Sequence, residues 1–201
     1  MRSALLLTLY FSVFFSSAHS QDHVTVLVRG ESLTPTVLQV MEREVDADLT
    51  PAAISVTWKF GHDLDGVAVE GQLALVYLRG QCRTDAPPQG NPPASVTLGR
   101  THVVDGHVLP IADILCDAVH NFIDRDLRVA AATDRDTLLG RALGRVTAHE
   151  FYHILLRTTG HSDRGLARFE QSASELLSPH NSFSAIDQRK ISQFALASGS
   201  D

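Results

Sequence analysis

The chain has 201 residues, 44% of them hydrophobic, enough apolar material for one core but too little for two comfortable ones. Its formal charge is −6, from 17 basic and 23 acidic residues, and the basic ones are scattered. That distribution suggests no phosphate-binding surface and argues against nucleic acid as a partner.

Arg2 precedes an apolar run from Ala4 to Phe15, and the small residues Ala18 and Ser20 stand at −3 and −1 of a cut before Gln21. This is the pattern of a secretory signal peptide over residues 1–20, with a secreted or periplasmic product. The run is shorter than the ~18 to 20 residues that span a bilayer, and no second long apolar run follows, so no stable membrane span is expected. Residues 21–201 are read as a single domain. Cys82 and Cys116 are the two cysteines. An exported chain favours joining them in one disulfide; two buried thiols is the other reading, and sequence leaves both open.

Val24 to Val28 is short and β-branched, and reads as a strand ending at Arg29-Gly30. A helix is expected next, with Val37, Leu38, Val40, Met41 and Val45 at helical spacing, Thr34 or Ser32 as cap and Pro35 in the first turn. Ile54 to Phe60 alternates as a half-buried strand, whereas Leu73 to Leu78 is uniformly apolar and suits a strand buried on both faces. The proline-rich stretch 85–94 is an irregular loop. Val96 to Val104 and His107 to Leu115 flank Asp105-Gly106, which favours a hairpin turn. Helices are expected over Cys116 to Leu127, Asp134 to Thr158 with Asp134 as N-cap, Phe169 to Leu177, and Ala185 to Ala197. Strand, helix, strands and then a helical second half suggest a helix-backed sheet.

The long helix contains His149-Glu150-Phe151-Tyr152-His153, an H-E-x-x-H match. Four residues advance a helix by slightly more than one turn, so both imidazoles leave one face and can grip one ion. Glu150 is rotated about 100° from His149, beside the ion, where it can take a proton from water there as general base. Zinc suits imidazole nitrogen and tolerates four or five ligands, which makes Zn2+ the expected cofactor.

A third ligand is required. His161 is favoured because Gly160 before it can take the left-handed backbone that ends a helix, letting the chain return toward the metal. Asp163 is an alternative on the same turn, and Glu170 or Glu175 would serve from the following segment.

His149-Glu150-x-x-His153 with a histidine downstream resembles the zincin metallopeptidases, and among them the metzincin branch, which reads H-E-x-x-H-x-x-G-x-x-H before a methionine-bearing turn. Here seven residues rather than five separate His153 from His161, and Gly160 directly precedes the histidine. The stretch His149 to Ala167 also resembles a group of secreted bacterial proteins with H-E-x-x-H-x-L-L-x-x-x-x-H-S-x-x-G-L-M, except that Ala167 replaces the final methionine. The resemblance implies an α+β fold: a twisted mixed sheet with one antiparallel edge strand, a backing helix, and a zinc-binding active-site helix. It implies an endopeptidase acting on peptide or protein substrates, with extended peptide pairing along an edge strand for which the hairpin from Val96 to Leu115 is the candidate.

The departures leave a second reading, a secreted zinc-binding or protein-interaction module without turnover. A third is an envelope-binding or host-directed protein without metal. His62, His102, His107, His120 and His180 lack a spacing partner and read as surface or hydrogen-bonded residues. Tyr152, Trp58 and Phe60 read as packing residues.

Overall fold

A computed structural model describes residues 22–30, 33–61, 66, 69–85 and 96–198. The expected signal peptide, His62 and most of the proline-rich loop lie outside the described residues. The chain forms β1 (Asp22–Gly30), α1 (Pro35–Leu49), β2 (Ile54–Phe60), β3 (Gln72–Arg79), β4 (Gly99–Val104), β5 (His107–Leu115), α2 (Cys116–Val129), α3 (Ala132–Leu156), α4 (Ala173–Leu177) and α5 (Ala185–Ser198). This is an α+β arrangement on a five-stranded mixed sheet of order β2-β1-β3-β5-β4. The first four strands in that order run parallel, and β4 closes the sheet as an antiparallel edge on β5.

Alternation sets the sheet's inner face. Val24, Val26 and Val28 of β1, Ala74, Val76 and Leu78 of β3, and Ala112 and Ile114 of β5 are all buried in one cluster with α1 and α3. Leu73, Leu75 and Tyr77 lie on the other face and are only partly buried, so β3 is not buried on both faces as its apolar run suggested. The Asp105-Gly106 hairpin turn forms as its residues require, both with positive φ (51° and 79°). Its first strand starts at Gly99 rather than Val96.

α1 begins where Thr34 accepts a hydrogen bond from the Val37 backbone and Pro35 opens the first turn. α3 packs along α1 through Gly140 and Gly144, where an added Cβ would stand 2.7 Å from the carbonyl oxygens of Val37 and Met41. Only glycine lets the two backbones approach this closely. Arg145, one residue beyond, is buried and ties the helices together: it pairs with Glu44 of α1 at 3.2 Å and donates to the Leu176 carbonyl of α4 at 2.7 Å.

Several helix boundaries differ from expectation, among them the C-termini of α2 at Val129 and α5 at Ser198. The N-cap of α3 is Ala131, not Asp134, so that Ala132 and Thr133 also belong to the helix. Asp134 stays in that turn, where its charge favours the helix N-terminus. α3 stops at Leu156, and α4 is confined to Ala173–Leu177 by a capping box in which Ser172 and Glu175 satisfy each other's backbone. Cys82 and Cys116 form a disulfide, with Cα atoms 4.8 Å apart, that joins the segment after β3 to the first residue of α2. Among the described residues, no helix is long and apolar enough to cross a membrane.

Candidate metal centre

The H-E-x-x-H segment occupies the last two turns of α3, facing β4 across a cleft of about 550 Å³. One wall is residues 96–101 and Val103, and the other is the returning chain from Thr158 to Gln171. His149, His153 and His161 come together there, with one ligand atom from each within 4.8 Å of the others. Among the described residues no other group of three or more such side chains forms.

His161 arrives by a different device from the one read in the sequence. The left-handed residue that ends α3 is Arg157 (φ 47°), not Gly160. Its backbone N–H reaches the carbonyls of His153 and Ile154, and Thr158 N–H donates to the His153 carbonyl at 3.1 Å. These bonds satisfy the carbonyls of His153 and Ile154 and offset the ~1 to 2 kcal/mol that a left-handed residue with a Cβ costs. With the turn made three residues earlier, the chain folds back and brings the His161 ring into a stack on His149 and an edge-on contact with His153, ring centroids 5.3 Å and 4.6 Å away. Asp163, Glu170 and Glu175 do not join the cluster. Glu170 lies on the cleft wall, and Glu175 is engaged by Ser172 and Arg168.

The hydrogen bonds to the rings assign their protons. His149 Nδ1 lies 2.8 Å from the Leu166 carbonyl and His153 Nδ1 lies 2.9 Å from the Thr158 carbonyl. A carbonyl only accepts, so each Nδ1 carries the hydrogen and each neutral ring presents an Nε2 lone pair. The two Nε2 atoms face each other at 3.2 Å. Burial lowers the His149 pKa to about 4, with help from the neighbouring imidazoles, and also lowers His153 and His161. Neutral imidazole is the metal-ligating form.

Glu150 lies on the side of α3 that meets β4 and is 5% exposed. Burial raises its pKa to about 7, against the opposing hydrogen bonds from Thr101. Thr101 Oγ1 is 2.7 Å from Glu150 Oε2.

Beneath His149 the chain makes a 3-10 turn, Gly165–Ala167, in which Leu166 and Ala167 are fully buried. The Ala167 carbonyl accepts from Ser162 N–H at 2.9 Å. Phe169 is exposed and meets the His161 ring edge-on at 5.0 Å.

The remaining singled-out residues have other partners. His102 bonds the buried Asp113 carboxylate at 3.1 Å, alongside Arg79 and Arg100. His107 and His180 are exposed, and His120 is buried in α2. Tyr152 is buried against Phe183, and Trp58 stacks with Phe60 and Phe151. Sequence reasoning missed Gly99 and Thr101, as well as the carbonyls of Thr158 and Leu166. The only advance signal for the first two was alternation in β4, which puts them on one face of the edge strand. Comparison of the chain with protein-family models, with curated proteins and with solved structures finds no match in any of the three.

Proposed function

We propose that this chain is an exported, zinc-dependent endopeptidase of zincin-like architecture, with His149, His153 and His161 as ligands and Glu150 as general base. The observation that carries the proposal is the pair of Nε2 lone pairs opposed at 3.2 Å. Two acceptors at that distance repel unless a cation lies between them, and two nitrogens ~2.0 to 2.1 Å from a tetrahedral zinc are themselves about 3.3 Å apart. Three neutral imidazoles fit zinc and leave a fourth position for water or substrate, the pattern of a catalytic rather than a structural site. When bound, zinc supplies polarisation of a substrate carbonyl and a more acidic water.

The chain's own residues supply the rest. The carbonyls of Leu166 and Thr158 hold the two helix-borne rings in the ligating tautomer. Glu150, buried at the cleft, takes the proton of the attacking water and returns it to the leaving amine. The outer edge of β4 is available to pair with an extended peptide across the cleft mouth. The Cys82–Cys116 disulfide supports an oxidising compartment, in keeping with the signal-peptide pattern of residues 1–20.

A zinc-binding module without turnover is the second reading, favoured by Ala167 in place of the methionine that the resemblance leads one to expect. One experiment separates the two. Protein purified without added metal is analysed for zinc, and cleavage of labelled casein is compared with that by Glu150→Gln. The peptidase reading expects about one zinc per chain in both proteins and a loss of ~100- to 10,000-fold in the variant. Equal cleavage by both would refute the assigned base, zinc without cleavage would leave the binding module, and absence of zinc would remove both readings.

A further inference from the structure

We propose that the edge strand β4 positions the general base: Thr101 fixes one oxygen of the Glu150 carboxylate, and Gly99 reserves the space in which the other oxygen works. The role rests on the peptidase reading; the contacts behind it do not.

Thr101 Oγ1 stands 2.7 Å from Glu150 Oε2 and 3.2 Å from the Glu150 carbonyl. A threonine hydroxyl has one proton and an ionised carboxylate has none, so Thr101 donates and Oε2 accepts. With one lone pair of Oε2 already engaged by Thr101, Oε1 is the freer oxygen to take up a proton. That oxygen lies over Gly99: a Cβ built there would be 2.7 Å from Oε1, 3.1 Å from Glu150 Cγ and 2.8 Å from Val146 Cγ1. Even a methyl group at position 99 would have to push the carboxylate aside.

Both contacts come from one face of one strand, as residues two apart must. That strand is not free to drift. Gly99 pairs with Ile114 and Thr101 with Ala112, both fully buried in the core on β5. Glu150 is carried by the 25-residue helix α3. The carboxylate is therefore held between two rigid elements, the condition under which a catalytic group keeps its geometry.

The rival explanation is that Thr101 merely satisfies a buried polar group. The test uses the full disulfide-bonded protein with Thr101→Val, Thr101→Ser and Gly99→Ala, beside Glu150→Gln. On casein-derived peptide, Thr101→Val is expected to lose ~10- to 100-fold in kcat with KM changed less than about twofold and zinc content unchanged. Thr101→Ser restores kcat, and Gly99→Ala loses it as Thr101→Val does. The second readout needs neither zinc nor substrate: the carboxyl ¹³C resonance of Glu150 in the zinc-free protein at fixed pH, assigned by its absence in Glu150→Gln. It should move in Thr101→Val and in Gly99→Ala and return in Thr101→Ser. An unmoved resonance in Thr101→Val, or a kcat that Thr101→Ser fails to restore, overturns the positioning role. If the wild type cleaves nothing while the resonance moves as described, β4 still positions the carboxylate and it is the peptidase reading that falls.

Discussion

The Leu166 carbonyl receives the Nδ1 proton of His149 at 2.8 Å, so a residue 17 positions further along the chain sets the tautomer of the first histidine of the cluster. Leu166 is presented by the Gly165–Ala167 turn, and Gly165 has φ 63°, a conformation that residues with a Cβ rarely adopt. An added Cβ would also lie 2.4 Å from the Ser182 carbonyl oxygen. Gly165→Ala should therefore shift the Leu166 carbonyl and weaken zinc binding by ~10- to 100-fold without touching a ligand. Competition titration against a chromogenic chelator measures this. Wild-type affinity in the variant would mean that the Leu166 hydrogen bond does not tune the ligand.

His161 is exposed and reaches the cluster from the loop rather than the helix. His161→Ala should lose on the order of 100-fold or more in zinc affinity, exceeding the effect of any outer hydrogen bond. The fold should survive, since an exposed side chain contributes little to the core. Full zinc retention by His161→Ala would hand the third position to another group; Asp163→Ala and Glu170→Ala would then be compared in the same titration.

The parts of the fold that short-range rules govern were legible in the residues. β2 follows from alternation alone, the hairpin turn from Asp105-Gly106, and the pairing of His149 with His153 on one helix face from their four-residue spacing. What escaped depends on partners far apart in sequence. Gly140 and Gly144 look like weak points in a helix until the α1 backbone is set against them. Thr101 meets Glu150 across 49 residues, and nothing local to either announces the contact. The end of α3 shows the same limit at short range: Gly160 is the better left-handed residue by propensity, but the hydrogen bonds of the helix end, together with the His153 ring bonded to the Thr158 carbonyl, place the turn at Arg157.

The Cys82–Cys116 bridge closes a loop that contains both β4 and β5. Cross-linking residues 34 positions apart restricts the unfolded chain by about 4 kcal/mol in the loop-entropy model. The double variant Cys82→Ala/Cys116→Ala is therefore expected to lose roughly 2 to 4 kcal/mol, a fall of ~5 to 15 °C in Tm for a domain of this size. Thermal unfolding of the oxidised wild type and of the variant checks it. A change below about 2 °C would mean that the bridge contributes little to stability.

Asp48 of α1 supplies the pH dependence that can be isolated most cleanly. Burial raises its pKa to about 7, the Arg145 guanidinium pulls it down, and the Glu44 carboxylate pushes it up. An unfolded aspartate titrates near 3.8. Between those values the folded protein holds a proton that the unfolded chain has released, so this group's contribution is complete below about pH 4 and is lost as the pH rises toward 7. His149 acts in the opposite sense. Its pKa, lowered to about 4 by burial, favours the folded state increasingly as the pH rises toward the ordinary histidine value of 6.5. The two trends partly cancel in the wild type, and the difference between wild type and Asp48→Asn separates them. Urea unfolding of the zinc-free proteins at several pH values should show the variant gaining on the wild type by a few kcal/mol between about pH 4 and pH 7.5. A difference that stays constant over that range would mean that Asp48 is ionised in the fold at acid pH and that the Arg145 charge outweighs the effect of burial.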